Sequence, residues 1–281
     1  MSQIITNDNC KKKTSTPSLL RLATCMFAVL LMIGFTVSGN SGQSTDTSSK
    51  GLPSILVELF TSEGCSTCPP ADLVLEQMDK QPIPGAQLIV LSEHVDYWDH
   101  EGWKDPYSSS SSTDRQNEYV HAFGLKTAYT PQIFVDGSSE MHLNNPEQVE
   151  QLFQKAISAT RTAVHITSLT VDTETSTVVR GRIEVGENSG KNKANVYVVI
   201  ALDHVESQVM RGENGGKHLT HVAVVQELKK IAKLEKGKSL DQEFELKLKP
   251  GTDPANVRII AFVQEPGPGR VLGAAFRKVK K

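Results

Sequence analysis

Apolar positions in the first half of the chain change from a continuous run to helical spacing and back. The run Ser54–Phe60 (SILVELF) is apolar almost throughout, which is typical of a strand buried on both faces. Pro69–Lys80 follows, with prolines in its first turn and partial helical spacing. A second apolar run, Gln87–Ser92, comes next. The order strand, helix, strand predicts a right-handed βαβ unit in a parallel sheet.

An aromatic and acidic insertion separates this unit from the next predicted elements. It begins at His94 and reads HVDYWDHEGWKDPYSSSSS. Beyond it the pattern predicts a helix over Thr113–Phe123, a strand over Gln132–Val135 and a last helix from Asn145 to Ile157.

The pattern changes near Thr162, where short alternating runs separated by turn residues begin. Such runs predict an antiparallel sandwich or barrel. The stretch His218–Leu234 fits a strand and a helix equally well. We therefore divide the chain into residues 1–50, a domain at 51–160 and an all-β domain at 161–281.

The N-terminus predicts export. Lys11–Lys13 and Arg21 precede the uncharged run 22–37 (LATCMFAVLLMIGFTV), and a small, polar tether follows over residues 39–51. Two alternatives stay open, because the run is long for a cleaved signal and short for the about 20 residues of a spanning helix. Either alternative places the body of the protein in the periplasm or outside the cell. Membrane contact is expected only through the run 22–37, if it is not cleaved.

Composition excludes some partners. The 281 residues are 38% hydrophobic and 22% charged, which is ordinary for a globular protein. The net charge of -2 argues against nucleic acid as the main partner, which needs a cationic surface. We find no phosphate-binding glycine loop and no Ser-His-Asp arrangement, and we predict no cofactor and no resident metal.

The cysteines carry the candidate chemistry. Cys10 and Cys25 lie in the leader, so only Cys65 and Cys68 belong to the exported body. The loop that they close is too short to stabilise a large fold. Cys65 falls near a helix start, where the dipole and free N–H groups stabilise a thiolate. We expect Cys65 to be the exposed nucleophile and Cys68 the resolving thiol.

The segment from Ser54 to Ala159 resembles the thioredoxin superfamily. The resemblance depends on the strand before the CxxC pair, the helix behind it and the distant sequence TPQIFVDG. It implies that Pro131 is cis and faces the cysteines, and that Thr130 offers its backbone to the substrate. The fold class expected from it is an α/β thioredoxin-like domain followed by an all-β sandwich-like domain.

Glu58 interrupts the first apolar run, and it has two interpretations. In thioredoxins a buried acid at the matching place assists proton movement at the resolving cysteine, which makes Glu58 a candidate catalytic residue. Alternatively, Glu58 is a carboxylate at a strand end that reaches water or a lysine.

More narrowly, the chain is similar to an exported bacterial family catalogued as a domain of unknown function. Its motifs here are VELFTSEGCSTCPP, HVDYWD, GWKDP and YTPQ, together with RGENGGKHLTH from Arg211 to His221. The chain departs from thioredoxins in three places, one of which is the insertion between Ser92 and His121, which makes the path to Thr130 longer. Gly64 replaces the usual aromatic residue, and Ser66-Thr67 replaces Gly-Pro between the cysteines.

Two polar groups near these motifs are ambiguous. The side chains of the insertion could form a metal centre with the cysteines, or they could face solvent while aromatic residues close over the site, with Trp98 as a substrate wall. We prefer the second interpretation. The segment from Arg211 to His221 either binds an anion or partner, or is a turn-held loop with His221 in a local hydrogen bond; we prefer the loop. The insertion residues concerned are His94, Asp96, Asp99 and His100, with Tyr97, Trp98, Trp103 and Tyr107.

The function expected from the sequence is thiol–disulfide exchange through the CxxC pair. The partners would be protein or small-molecule thiols and disulfides, in an exported oxidoreductase-like protein. The alternative is a non-enzymatic binding or copper-delivery protein.

Overall fold

Strands predominate in the protein, for which a computed structural model describes residues 51–172 and 177–280. The predicted leader, including the run 22–37, lies outside the described residues. Of the described residues, 44% lie in strands and 18% in helices. The strands are β1 (Ser54–Thr61), β2 (Gln87–His94), β3 (Gln132–Val135), β4 (Ser139–Met141), β5 (Val164–Asp172), β6 (Val178–Val185), β7 (Ala194–Gln208), β8 (His218–Leu234), β9 (Leu240–Lys247), β10 (Val257–Gln264) and β11 (Val271–Lys278).

The helices are α1 (Pro69–Lys80), α2 (Ser110–Ala122) and α3 (Pro146–Ser158), with a short 3-10 helix at Pro254–Asn256. The predicted bounds of α1 are confirmed. Helix α2 begins three residues earlier than expected, because the Ser109 side chain accepts from the Ser112 N–H and caps it. Within the described ranges, no helix is long and apolar enough to cross a membrane.

Eight strands form one mixed sheet in the order β11-β10-β7-β8-β2-β1-β3-β4. Strands β1 and β2 run parallel from the pair Ser54–Gln87 to the pair Thr61–His94, which confirms the βαβ unit. Strand β8, the ambiguous stretch of the sequence, joins β2 in parallel at the pair Ser92–Val224. A separate antiparallel sheet has the order β5-β6-β9.

The expected fold class, an α/β thioredoxin-like domain followed by an all-β sandwich-like domain, is wrong. Strands from both sides of residue 160 share the large sheet, and the protein is mostly β. Burial explains the difference. All eight residues of β10 are buried, whereas buried and exposed residues alternate along most of β6. A strand buried on both faces belongs inside a large sheet, so the apolar strands of the second half of the chain extend the eight-stranded sheet.

Gly273 on β11 lies where another segment crosses the sheet at close range. A Cβ at this position would lie 1.9 Å from the Thr162 carbonyl oxygen, a backbone atom that the neighbouring Thr162 N–H to Leu272 O bond holds in place. We expect Gly273→Ala to lower the free energy of unfolding by about 2–3 kcal/mol, the upper part of the range of about 1–3 kcal/mol for overpacking. Urea denaturation measures this.

Gly186→Ala is the matched control for this substitution. The atom nearest to a Cβ there is the Ala163 Cβ at 3.3 Å, a side-chain contact that can relax. The expected loss is less than about 1 kcal/mol. Equal losses in the two variants would show that the contact at Gly273 adjusts without strain.

Candidate active site

The two cysteines lie in the turn that joins β1 to α1. Cys65 and Cys68 form a disulfide bond, with their Cα atoms 5.5 Å apart. The turn is held by the Cys65 N–H to Ser62 O bond at 3.1 Å and the Cys68 N–H to Cys65 O bond at 3.2 Å. Cys68 is the N-cap of α1, and Pro69 and Pro70 fill the first helical turn. A buried strand, a tight turn and a proline start thus place the sulfur pair at the helix N-terminus.

Both cysteines are buried, each with 0% of its surface exposed, whereas Ser66 and Thr67 between them are exposed. The expectation that Cys65 is exposed is therefore wrong. Its Sγ lies 3.3 Å from the Thr67 Oγ1 and 3.8 Å from the Thr130 carbonyl oxygen. Exchange at this sulfur requires a local movement that uncovers it.

The Thr130–Pro131 peptide bond is cis, and Thr130 lies beside Cys65. This confirms the cis bond that the resemblance implied, while a Pro131 that faces the cysteines and the substrate-binding role of the two residues stay predictions. Trp98 belongs to the same group, because its Nε1 donates to the Thr130 Oγ1 at 2.7 Å. Trp98 also lies over Gly64, where a Cβ would be 3.0 Å from the Trp98 Cβ. Glycine at position 64 therefore makes room for this tryptophan.

Glu58 lies on the opposite face of the sheet from α1. Side chains alternate along a strand, and Thr61 of β1 donates to Asp72 of α1. Glu58, three positions before Thr61, points the other way, toward α2. Its carboxylate accepts from the Arg115 Nε at 2.6 Å and from the Tyr119 hydroxyl at 2.5 Å. The structure thus does not bring Glu58 to the cysteines, and its catalytic role is not supported by position.

A buried group of two carboxylates and one imidazole lies beside α1. His221 of β8 lies between Glu63, which precedes Cys65, and Asp72, one turn into α1. Its Nε2 is 3.4 Å from the Glu63 Oε1, and its Nδ1 is 3.6 Å from the Asp72 Oδ1. These distances are those of ion pairs rather than hydrogen bonds. All three residues are at most 5% exposed.

His94 and Asp105 extend this buried group. The His94 Nδ1 is 2.7 Å from the Asp105 Oδ2, and the rings of His94 and His221 meet edge to face at 4.7 Å. Asp105 also accepts from the N–H groups of Glu63 and Tyr107. Burial raises the pKa of Asp105, but His94 and these N–H groups outweigh it and lower the pKa overall.

The preferred interpretation of the insertion is wrong for His94, which is fully buried rather than facing solvent. His100, by contrast, is exposed. Asp96 accepts from Thr113 and Asp99 from Ser108, so both carboxylates are used within the insertion. Among residues 51–172 and 177–280, no group of three or more His, Cys, Asp or Glu side chains is placed to hold a metal ion.

Protonation of His221 gives the site a pH dependence. Burial opposes the charge, but Asp72 and Glu63 outweigh it and raise the pKa of His221 to about 10 from 6.5. Because the folded pKa is raised, this stabilisation is complete below the unfolded pKa and is lost as the pH rises toward 10. We expect the free energy of unfolding to fall between pH 7 and pH 10 by an amount several times RT.

Urea denaturation of the wild type and of His221→Gln over this pH range measures the effect. Groups that do not contact His221 titrate alike in both proteins, so the difference in slope reports on His221 and the two carboxylates beside it. Parallel pH curves would show that His221 is not charged in the folded protein.

Residues of the segment from Arg211 to His221 contact two different parts of the site, the cysteine turn and the buried group. Asn214 and Glu213 contact the cysteine turn, through the Cys65 carbonyl oxygen and the Ser66 N–H respectively. His221 enters the buried group instead of a local hydrogen bond, so that part of the preferred interpretation is wrong. Arg211 is exposed.

Sequence reasoning missed Glu63, Asp72 and Asp105, and it misplaced His94 and His221. One signal was present. Glu63 follows β1 and His94 ends β2, and the carboxyl ends of these neighbouring parallel strands share one edge of the sheet. No comparable signal existed for His221 or Asn214, because their place depends on the pairing of β8 with β2.

Comparison with known proteins identifies the sequence family. The profile of DUF1223, described as a protein of unknown function, matches residues 56–264. No curated protein sequence matches the chain. Among solved structures, protein AGR_C_4864 from Agrobacterium tumefaciens is 24% identical with a TM-score of 0.63, over 81% of this chain and 95% of that one. HBP35 of Porphyromonas gingivalis is 14% identical with a TM-score of 0.58, over 82% and 76% respectively. These likenesses show the fold alone.

Proposed function

Because the chain belongs to the DUF1223 family, whose function is unknown, we propose a function from its own geometry: thiol–disulfide exchange through Cys65 and Cys68. The observation that carries the proposal is the disulfide at the start of α1, with the Thr130 carbonyl oxygen 3.8 Å from the Cys65 sulfur. The helix N-terminus favours a thiolate there, and the thiolate is the reactive form.

Cys65 is the residue that exchanges with the partner, and Cys68 resolves. In the reduced protein, the Cys65 thiolate attacks a partner disulfide, forms a mixed disulfide and releases one partner sulfur as a thiolate. The Cys68 thiolate then attacks the Cys65 sulfur, which closes the Cys65–Cys68 bond and releases the second partner sulfur. The partner gains two electrons and the cysteine pair loses two. The reverse sequence oxidises a partner dithiol.

The partners that fit this chemistry are exported proteins or small molecules with thiols or disulfides. An exported location agrees with the leader at residues 1–50 and with the persistence of disulfides outside the cytoplasm. Thr130 lies beside the Cys65 sulfur and accepts a hydrogen bond from Trp98; together with Pro131, which follows Thr130, these residues are the proposed substrate contacts.

Redox titration of the purified protein, combined with insulin reduction and oxidation of a model dithiol, tests the function. We expect a single two-electron couple from Cys65 and Cys68, with turnover in at least one direction. A pair that exchanges with neither insulin nor the model dithiol contradicts the proposal.

A further inference from the structure

The β7–β8 loop, Val209–Lys217, is held together by its own backbone. Val209 N–H donates to the Lys217 carbonyl oxygen at 3.0 Å, and Gly216 N–H donates to the Val209 carbonyl oxygen at 2.8 Å. Most of the loop is exposed, but Asn214 has 0% of its surface exposed. A polar side chain buried at the tip of an exposed loop needs partners outside the loop.

Asn214 finds those partners in the turn that carries Cys65. Its Nδ2 donates to the Glu63 carbonyl oxygen at 2.8 Å and to the Cys65 carbonyl oxygen at 2.9 Å. Its Oδ1 accepts from the Lys217 Nζ at 2.9 Å. Both amide hydrogens and the amide oxygen are therefore used, and these partners fix the orientation of the group.

Glu213 adds a third bond to the same turn. Its Oε2 accepts from the Ser66 N–H at 3.0 Å. Hydrogen bonds from the side chain and the N–H of Ser66 lower the pKa of the Glu213 carboxyl. Two adjacent residues thus hold three backbone groups on both sides of Cys65, although they lie 147 to 151 positions later in the chain.

The loop also packs against the insertion. A Cβ at Gly212 would lie 3.1 Å from both the Glu101 carbonyl oxygen and the Trp103 Cβ. Trp103 in turn donates to the Glu63 Oε2 at 2.8 Å. The cysteine turn is therefore held directly by the loop and also through Trp103.

Both cysteines are fully buried, so an attacking sulfur reaches them only when the turn or its surroundings move. We infer that Asn214 and Glu213 are positioning residues that hold the Cys65 turn in its covered arrangement and set how fast its disulfide becomes accessible to an exchange partner. The inference rests on the proposed function and adds to it a control of access from the second half of the chain.

The test is the rate at which dithiothreitol reduces the Cys65–Cys68 disulfide in the full-length folded protein. Dithiothreitol closes to its cyclic disulfide as the cysteine pair gains two electrons. In Asn214→Ala, the Glu63 carbonyl oxygen loses the Asn214 donor and the Cys65 carbonyl oxygen keeps the Cys68 N–H as its donor, so local opening costs less. We expect reduction to accelerate about ten-fold, which corresponds to about 1.4 kcal/mol.

Asn188→Ala is the matched control. Asn188 is 4% exposed, and its Nδ2 also donates to two backbone carbonyl oxygens, those of Asn192 and Leu234. Leu234 ends β8, whereas the β7–β8 loop precedes its other end at His218. The control therefore loses the same buried bonds away from the cysteines, and we expect its reduction rate to match that of the wild type.

Equal acceleration in the two variants, or no acceleration in Asn214→Ala, overturns the inference. If Asn214→Ala does not fold, Glu213→Ala decides, because this exposed side chain contacts the turn through Ser66. A several-fold faster reduction supports the inference, and an unchanged rate refutes it. Failure of the proposed function is distinct, since it appears in the wild type as absent turnover of insulin and of the model dithiol.

Discussion

Replacing Cys65 by serine should reduce disulfide exchange to the rate of the uncatalysed reaction. The Cys65 sulfur lies beside Thr130, and serine at position 65 can neither accept a partner sulfur nor close the disulfide. We do not expect Cys68 to substitute for it, because Cys68 is the N-cap of α1 and the Thr130 contact is made by Cys65. Insulin reduction and thiol alkylation measure the loss.

Cys68→Ser should behave differently from Cys65→Ser. The first attack by Cys65 can still occur, but no thiol remains to resolve the product, so a mixed disulfide with the partner should accumulate. Non-reducing electrophoresis detects it. Both variants should remain folded, because the loop between the cysteines is short and its closure contributes little to stability. Accumulation of the mixed disulfide in Cys65→Ser instead would reverse the proposed roles.

Replacing Arg115 by methionine should destabilise the protein more than the same replacement of an exposed arginine. Arg115 is buried against Glu58 and lies 3.4 Å from the Glu93 Oε1. Burial raises the pKa of Glu93 well above its usual value, and the nearby Glu58 acts in the same direction. Removing the cation leaves Glu58 buried with no balancing charge, which costs about 3–5 kcal/mol in comparable cases. Urea denaturation measures the loss.

Arg182→Met is the control, because it removes the same side chain from an exposed ion pair. Arg182 contacts Asp241 at 2.6 Å, and both side chains are about half exposed. Such pairs contribute about 0–1 kcal/mol. In Glu58→Gln/Arg115→Met both charges are gone, and we expect part of the lost stability to return. Similar losses in Arg115→Met and Arg182→Met would mean that water reaches the buried pair of Arg115 and Glu58.

Local pattern was enough to predict the elements around the cysteines. Prolines at the start of Pro69–Lys80 and the apolar runs on either side gave the βαβ unit, since these signals depend on neighbours in the sequence. The face of each residue was harder to predict. Glu58 was placed near the cysteines by resemblance, yet the alternation of side chains along β1 turns it toward α2.

Contacts between residues far apart in the chain could not be predicted from the sequence. The fold class was wrong because the position of β8 beside β2 depends on one parallel contact between Ser92 and Val224, far apart in the chain. The same contact brings His221 between Glu63 and Asp72. Nothing in the spacing of a buried histidine specifies which distant carboxylates it will meet, because that depends on how the strands pair.

The shared sheet has a consequence for any shortened version of the protein. A fragment that stops near residue 160 keeps both sulfurs, but it loses β8 and leaves β2, with its buried leucines and valine, as an unprotected border. Exposed apolar edge strands of this kind promote self-association. The cysteine motif and the loop that contacts it are thus encoded in different halves of the chain, so a fragment of either half lacks part of this arrangement.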